Sequence, residues 1–305
     1  MALLSWTVST LSLFLAPLLP AVNAKVYQSL DAFPSNITRS FDFIIAGSGT
    51  AGSVLAGRLS ENNRFNVLLI EAGNDTASVI ELIIPACATK RNDTEFNWRF
   101  MSEPMEGLNN RTIEIPRGRG LGGSSAINAM VYTRGSRGGE GRLYSLIYGE
   151  WTGATGGRDP TGQYDPKVHG YSGNTQTSLG WYEPSNFDLR VRRNGVLQSE
   201  EFPNVLDLNA GKPIVATWIQ STIGNGEQCS AARGYMTPSA RERPNLTILL
   251  NTYITCVLPT PGDGSEKLDI RTVEIAPRYG VALDTHPFRY PEGLDSFEGA
   301  HPPMV

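Results

Sequence analysis

Residues 41–46 (FDFIIA) and 66–70 (NVLLI) are short apolar runs rich in β-forming side chains. Runs that stay apolar without alternating predict strands buried on both faces of a parallel sheet. Between them Ala51, Val54, Leu55 and Leu59 recur at a period near 3.6, which predicts an amphipathic helix with that face inward. Residues 245–276 read as further strands returning to the same sheet. There is no internal repeat and no heptad pattern.

The turn between the first run and the helix carries Gly47, Gly49 and Gly52 in a G-x-G-x-x-G pattern. The first glycine permits a tight turn, the second lets a pyrophosphate approach the backbone, and the third lets the helix pack close to the strand. The helix N-terminus, at Thr50 and Ala51, offers free N–H groups and the positive end of the helix dipole to phosphate. Glu71 ends the second run, with Ala72 after it, roughly 20 residues beyond Gly52. That is the spacing of an acid that accepts hydrogen bonds from ribose hydroxyls. The unit predicts dinucleotide binding and leaves NAD and FAD both open.

A second glycine-rich segment, PRGRGLGGSSAINAMVYTRGS at 116–136, narrows the choice. Gly120, Gly122 and Gly123 let the backbone lie close to a ligand. Ser124 and Ser125 are good caps for a helix beginning near Ala126. Over its whole length the segment resembles the first signature of the glucose–methanol–choline (GMC) flavin oxidoreductases. The resemblance implies FAD. It carries over Gly122, Gly123, Asn128, Ala129, Met130 and Val131 as cofactor-contacting positions, beside Gly47, Gly49, Thr50, Ala51, Gly52, Glu71 and Ala72. It continues over 202–258, where the chain is most like the fungal aryl-alcohol oxidase and pyranose dehydrogenase branch. There the strand after RPNL brings a backbone group to the adenine, which falls on Ile254. Asn97, Trp98 and Phe100 match a family stretch near the flavin and read equally well as core or cap residues.

The fold class expected is α/β: an incomplete Rossmann-like FAD-binding domain with part of an α+β substrate domain. The division expected is a leader at 1–24 and the N-terminal part of the FAD-binding domain at 25–136. A glycine-rich bridge at 137–164 leads to a partial substrate domain at 165–240. Strands return to the FAD domain at 241–280, and an unmatched tail at 281–305 is expected to lack fixed structure.

The chain has 305 residues, 40% hydrophobic and 18% charged, with a net charge of −4. That suits a soluble globular protein and gives no electrostatic footprint for nucleic acid. Residues 1–24 read as a secretory leader, with a short apolar core and small Val22 and Ala24 before the expected cleavage. The core is broken by Pro17 and Pro20 and is too short to span a bilayer. Export is therefore expected, with no membrane partner. Five N-x-[ST] sequons fit that route: Asn36, Asn74, Asn92, Asn110 and Asn245. Asn245, at the start of a buried strand, is expected to stay unmodified. Cys87, Cys229 and Cys256 have no metal-site spacing and read as buried free thiols.

In the family a histidine near flavin N5 takes the alcohol proton while hydride passes to the flavin. The chain has His169, His286 and His301, and none matches that position. His169, in DPKVHGYSG, reads as a loop histidine bonding backbone. The resemblance implies oxidation of a small-molecule alcohol or sugar by hydride transfer to FAD. The chain itself reads as a truncated form without its catalytic histidine, so no catalytic residue is assigned. The alternative is a non-catalytic secreted glycoprotein, or a gene-model fragment, that keeps part of the flavin fold. No G-x-S-x-G, H-E-x-x-H or P-loop pattern points elsewhere.

Overall fold

The computed structural model describes residues 25–34, 41–135, 149–151, 161–180, 185–197, 203–259 and 270–277. The leader at 1–24, the tail at 281–305, most of the bridge, Asn36, His286 and His301 lie outside the described residues. The chain forms β1 (Lys25–Tyr27), β2 (Phe43–Ala46), α1 (Thr50–Leu59), β3 (Val67–Ile70) and the short α2 (Ile80–Ile83). A ribbon of β4 (Phe100–Met101) and β5 (Glu114–Ile115) precedes α3 (Ser124–Ile127) and β6 (Val131–Tyr132). Then come β7 (Gly149–Trp151), β8 (Thr175–Leu179), α4 (Asn186–Leu197) and β9 (Gln220–Ser221). A second small ribbon, β10 (Ile223–Gly224) and β11 (Glu227–Gln228), leads to α5 (Ala231–Tyr235) and α6 (Pro238–Arg241). The described chain closes with β12 (Leu246–Leu249) and the hairpin β13 (Thr252–Pro259) and β14 (Ile270–Pro277).

β1, β12, β3 and β2, in that order, make one wholly parallel sheet. Every residue of its two central strands, β3 and β12, is buried. On one face Val67, Leu69, Leu246 and Ile248 pack with Ala56 of α1 and with Ala232 and Met236 from the α5 segment. On the other, Leu68, Ile70 and Leu249 are covered by Ile254, Val273 and Ile275 of the hairpin. Cover on both faces is why these two strands can be continuously apolar.

Two expectations about this layer need correction. β2 is an edge strand among the described residues. Phe43 and Ile44 are exposed and only Ile45 is buried. The inward stripe of α1 is also not the most hydrophobic one. Leu55 is 51% exposed and Ala51 is exposed, whereas Ser53, Ala56 and Gly57 are buried. Close approach decides the matter. A Cβ on Gly52 would stand 1.9 Å from the Gly47 carbonyl oxygen, and one on Gly57 would stand 2.6 Å from that of Tyr235. Only small side chains fit a helix held this near its neighbours.

Asn245 binds the end of α1 to β12. Its Nδ2 is shared among the carbonyls of Ser60, Asn62 and Phe65 at 3.2, 3.1 and 2.8 Å. These carbonyls lie at and beyond the helix C-terminus, where backbone acceptors lose their intrahelical donors.

The second sheet has the order β6-β9-β8-β7, antiparallel except for the β7–β8 pair. A buried polar network lies beside it. His169 Nε2 is 2.7 Å from Asp207 Oδ2. Gln220 Nε2 donates to the same oxygen at 2.8 Å, and Asn209 Nδ2 donates to Gln220 Oε1 at 2.6 Å. His169 was expected as a loop histidine bonding backbone; the contact of its Nε2 with a carboxylate was not foreseen. The cysteines are free, but only Cys229 is buried. Cys87 is half-buried and Cys256 is exposed, because β13 faces solvent beyond the hairpin's contact with the sheet.

Candidate functional site

The candidate site lies at the C-terminal ends of β2 and β3, where ligands bind in parallel α/β sheets. Gly47 leaves β2 with φ +85° and donates its N–H to the Ile70 carbonyl at 2.8 Å. Gly49 is the N-cap of α1, and no side chain caps the first N–H groups of that helix. Thr50 and Ala51, the first two helical residues, are exposed. A Cβ placed on Gly49 would meet nothing within 4 Å. The space in front of the helix N-terminus is therefore open, while Gly52 behind it is tightly packed.

The second glycine segment closes one wall of this space. Gly120, Gly122 and Gly123 have φ of +137°, +92° and +51°, which L side chains rarely adopt. Gly122 N donates to Ser48 O at 2.8 Å. A Cβ on Gly123 would stand 2.6 Å from Gly49 Cα. Two motifs far apart in sequence thus touch backbone to backbone.

Glu71 holds them together. It is buried, with Ala72 half-buried beside it. Its Oε2 accepts from Ser48 N at 2.8 Å and Ser48 Oγ at 2.6 Å. Its Oε1 accepts from Gly73 N and Gly120 N, both at 2.9 Å. A carboxylate has about four lone-pair positions, so donors of the protein fill this one. Ribose hydroxyls were the expected donors to this group, and here the loop backbones and Ser48 occupy its acceptor positions.

Ser124 and Ser125 do not cap a helix near Ala126. α3 starts at Ser124 with Gly123 as N-cap and no side-chain cap. Ser124 Oγ accepts from Gly118 N at 3.1 Å. Ser125 Oγ donates to Gly122 O at 2.5 Å and accepts from Ala231 N at 2.9 Å. Both hydroxyls pin the loop instead. After α3, Asn128, Ala129 and Val131 are exposed and Met130 is buried with φ +65°. Asn128 Oδ1 accepts from Met130 N at 3.0 Å, and Met130 O accepts from Thr222 N at 2.7 Å.

Ile254 lies apart from the loops, in the apolar cluster under the sheet and paired with Ile275. Its strand nevertheless starts at the site, since Thr252 N donates to Glu71 O at 3.0 Å. Asn97 is buried and engaged within the protein. It donates to Asn92 O and Glu114 Oε1 and accepts from Arg99 N and Arg117 N. Trp98 stacks on Phe100 with 5.8 Å between ring centres, and the Arg119 guanidinium lies 5.3 Å from the Trp98 ring.

Sequence reasoning missed Arg91. It is fully buried and donates to the carbonyls of Glu81, Ile84 and Asn128 at 2.8, 2.9 and 3.0 Å. Burial holds its pKa below the usual arginine range. Nothing in the local run TKRND marks this arginine as internal. Asp207 was missed too. Burial pushes its carboxyl up, but hydrogen bonds from His169 and from the N–H groups of Asp165 and Asn209 outweigh that, and the net direction is down.

Residues 41–156 match the GMC oxidoreductase family. Pyranose dehydrogenase of Agaricus campestris is 34% identical over 281 residues, which cover 84% of this chain and 44% of that protein. Among solved structures, pyridoxine 4-oxidase from Mesorbium loti is 29% identical with a TM-score of 0.64, covering 79% of this chain and 47% of that one. An FAD-dependent oxidoreductase from Chaetomium thermophilum is 28% identical with a TM-score of 0.63, covering 80% and 43%. The chain spans less than half the length of each of these relatives.

Proposed function

The chain belongs to the GMC oxidoreductases through residues 41–156, and we propose that it holds FAD and serves the oxidation of CH–OH groups in a small alcohol or sugar. The observation that carries this reading is the open space at Gly49, framed by an uncapped helix N-terminus and a second glycine loop in backbone contact with it. A pyrophosphate fits there, with Gly47, Gly49, Thr50, Ala51 and Gly52 as its cradle. The exposed stretch at Asn128, Ala129 and Val131, bent at Met130 and braced from behind by Arg91, would run beside the flavin, next to Gly122 and Gly123. Glu71 would set the ribose and adenine end indirectly, by holding Ser48, Gly73 and Gly120 in place, with Ala72 beside it and the strand that carries Ile254 starting there. FAD supplies the hydride acceptor. The residues of this chain supply binding, orientation and a wall against water.

The name of the Agaricus relative favours a sugar as donor. The leader at 1–24 and the sequons favour an exported glycoprotein. Among the described residues no helix is long and apolar enough to cross a membrane. The remainder of the expected division, with a partial substrate domain at 165–240, belongs to the same proposal.

A second reading, FAD binding without turnover, has one observation in its favour. His169, the one histidine among the described residues, is buried against the Asp207 carboxylate. Purified protein incubated with FAD and then desalted tests both readings. Retained flavin absorbance that is lost on anaerobic addition of an aldose, an aryl alcohol or an aliphatic alcohol supports turnover. Retained flavin that no donor bleaches supports the second reading. Binding of NAD with no retention of flavin overturns both.

A further inference from the structure

We propose that Asn110 is the N-glycosylation site among the four described sequons, and that its glycan covers the apolar tip of the β4–β5 ribbon. The proposal rests on the exported reading and deepens it. Of the four, Asn245 is 8% exposed, holds three carbonyls, and is followed by buried Leu246 and Thr247. A glycan there would break the joint between α1 and β12. Asn74 accepts from Asn251 Nδ2 at 2.7 Å, and the hydroxyl of its buried sequon partner Thr76 donates to Leu121 O at 2.8 Å. Asn74 Nδ2, the atom that would carry a glycan, donates to Glu95 Oε1 at 3.4 Å. Asn92 is half-buried, and the hydroxyl of its Thr94 donates to Arg91 O at 2.7 Å.

Asn110 differs on every count. Asn109 and Asn110 form a left-handed pair with φ of +54° and +55°. Asn110, Arg111 and Thr112 are all exposed, and the Asn110 side-chain amide makes no hydrogen bond among the described residues. A glycan needs such a surface turn.

The surroundings give the glycan a task. Met101 is 56% exposed, Met105 48% and Ile113 45%, an unusual density of bare apolar side chains on a two-stranded ribbon. Asn110 N donates to Met105 O at 3.0 Å, so the first sugar would be rooted beside Met105. The donor is a lipid-linked oligosaccharide diphosphate. The bond from Asn110 Nδ2 to the anomeric carbon forms, the anomeric C–O bond to the diphosphate breaks, and the amide proton leaves with the lipid diphosphate.

The full chain would be expressed in a secreting eukaryotic host, once with residues 1–24 and once with an established leader in their place. Peptides of the folded, protease-resistant product would be mapped by mass before and after peptide N-glycosidase treatment. The expected result is a glycan on Asn110, absent from Asn110→Gln and from Thr112→Val and kept in Asn92→Gln. Enzymatic removal or Asn110→Gln should raise binding of an apolar dye and promote aggregation while leaving the melting temperature unchanged. An unmodified Asn110 in folded product, or a glycan on Asn74 or Asn245, overturns the proposal. So does a glycan on Asn110 whose removal changes neither dye binding nor aggregation. Modification at Asn110 with the substituted leader alone sinks the export reading and leaves this one standing.

Discussion

The parallel-sheet layer and the second sheet are held together by opposite means. In the first, β3 and β12 are apolar throughout, and the parts that meet are bare backbone: Gly52 on Gly47, Gly123 on Gly49, Gly73 on Arg119. In the second, the centre is polar, with His169, Asp207, Asn209 and Gln220 bonded in sequence. A backbone contact fails when any atom is added. A buried polar network fails when any partner is removed. Each region therefore has its own most damaging substitution.

The largest expected effect is in the second region. Asp207→Ala leaves His169 and Gln220 without their acceptor in a buried site. Each buried donor left without its acceptor costs about 1–3 kcal/mol, and Asp207 serves two of them. Hydrogen exchange should speed up at β8 and β9 and stay slow at β3 and β12. A uniform change across both sheets would show that the two regions are one cooperative unit and break the comparison. The pH dependence sharpens it. The Asp207 carboxyl lies below its ordinary value, so its contribution is complete above the usual carboxylate range. It is lost as pH falls through the depressed value. Acid should loosen β8 and β9 first in the wild type, and Asp207→Asn should remove that early step.

Next comes Gly52→Ala. Its Cβ would sit 1.9 Å from a backbone oxygen, and α1 has no flexible neighbour to give way. Overpacking of this kind costs about 1–3 kcal/mol. The denaturation midpoint should fall and FAD retention with it. A stable variant with normal FAD binding would mean that α1 can slide on β2, contrary to the tight packing described. Asn245→Ala should be smaller, about 1–2 kcal/mol for the orphaned carbonyls, some of which water can reach. Thermal melting checks it.

The two regions also differed in how far they could be read from sequence. β3, β12 and the G-x-G-x-x-G turn were legible because an uninterrupted apolar run and a glycine spacing each have one structural meaning. The buried face of α1 was not, because Leu55 outranks Ser53 in hydrophobicity while the site selects on size. Ser124 and Ser125 carried a true local preference for caps, but Gly118 and Ala231 offered backbone donors to their hydroxyls and won them. The Asp207 network and Arg91 were invisible for a different reason. Their partners are distant in sequence, and a charged residue inside a protein looks in sequence like one on its surface. Asn245 was half legible: the buried strand it opens could be read from the apolar run, but not the three carbonyls it holds.

The smallest effect on stability should come from Gly49→Ala. It is also the variant that separates a cofactor cradle from a merely well-packed glycine turn. Gly49 has an ordinary φ of −57°, and its added Cβ would meet nothing within 4 Å. The substitution also removes some freedom from the unfolded chain, which stabilises by about 0.4–1 kcal/mol when the native backbone permits it. The fold should therefore be unharmed or slightly firmer. The methyl would nonetheless project into the space in front of the α1 N-terminus, where a pyrophosphate would need contact with bare backbone. FAD retention should drop sharply while the melting curve does not, and Gly49→Val should deepen the loss of flavin. Gly52→Ala loses both together. If Gly49→Ala and Gly49→Val retain FAD as the wild type does, the open space is not where the pyrophosphate lies, and the glycine loops serve the fold alone.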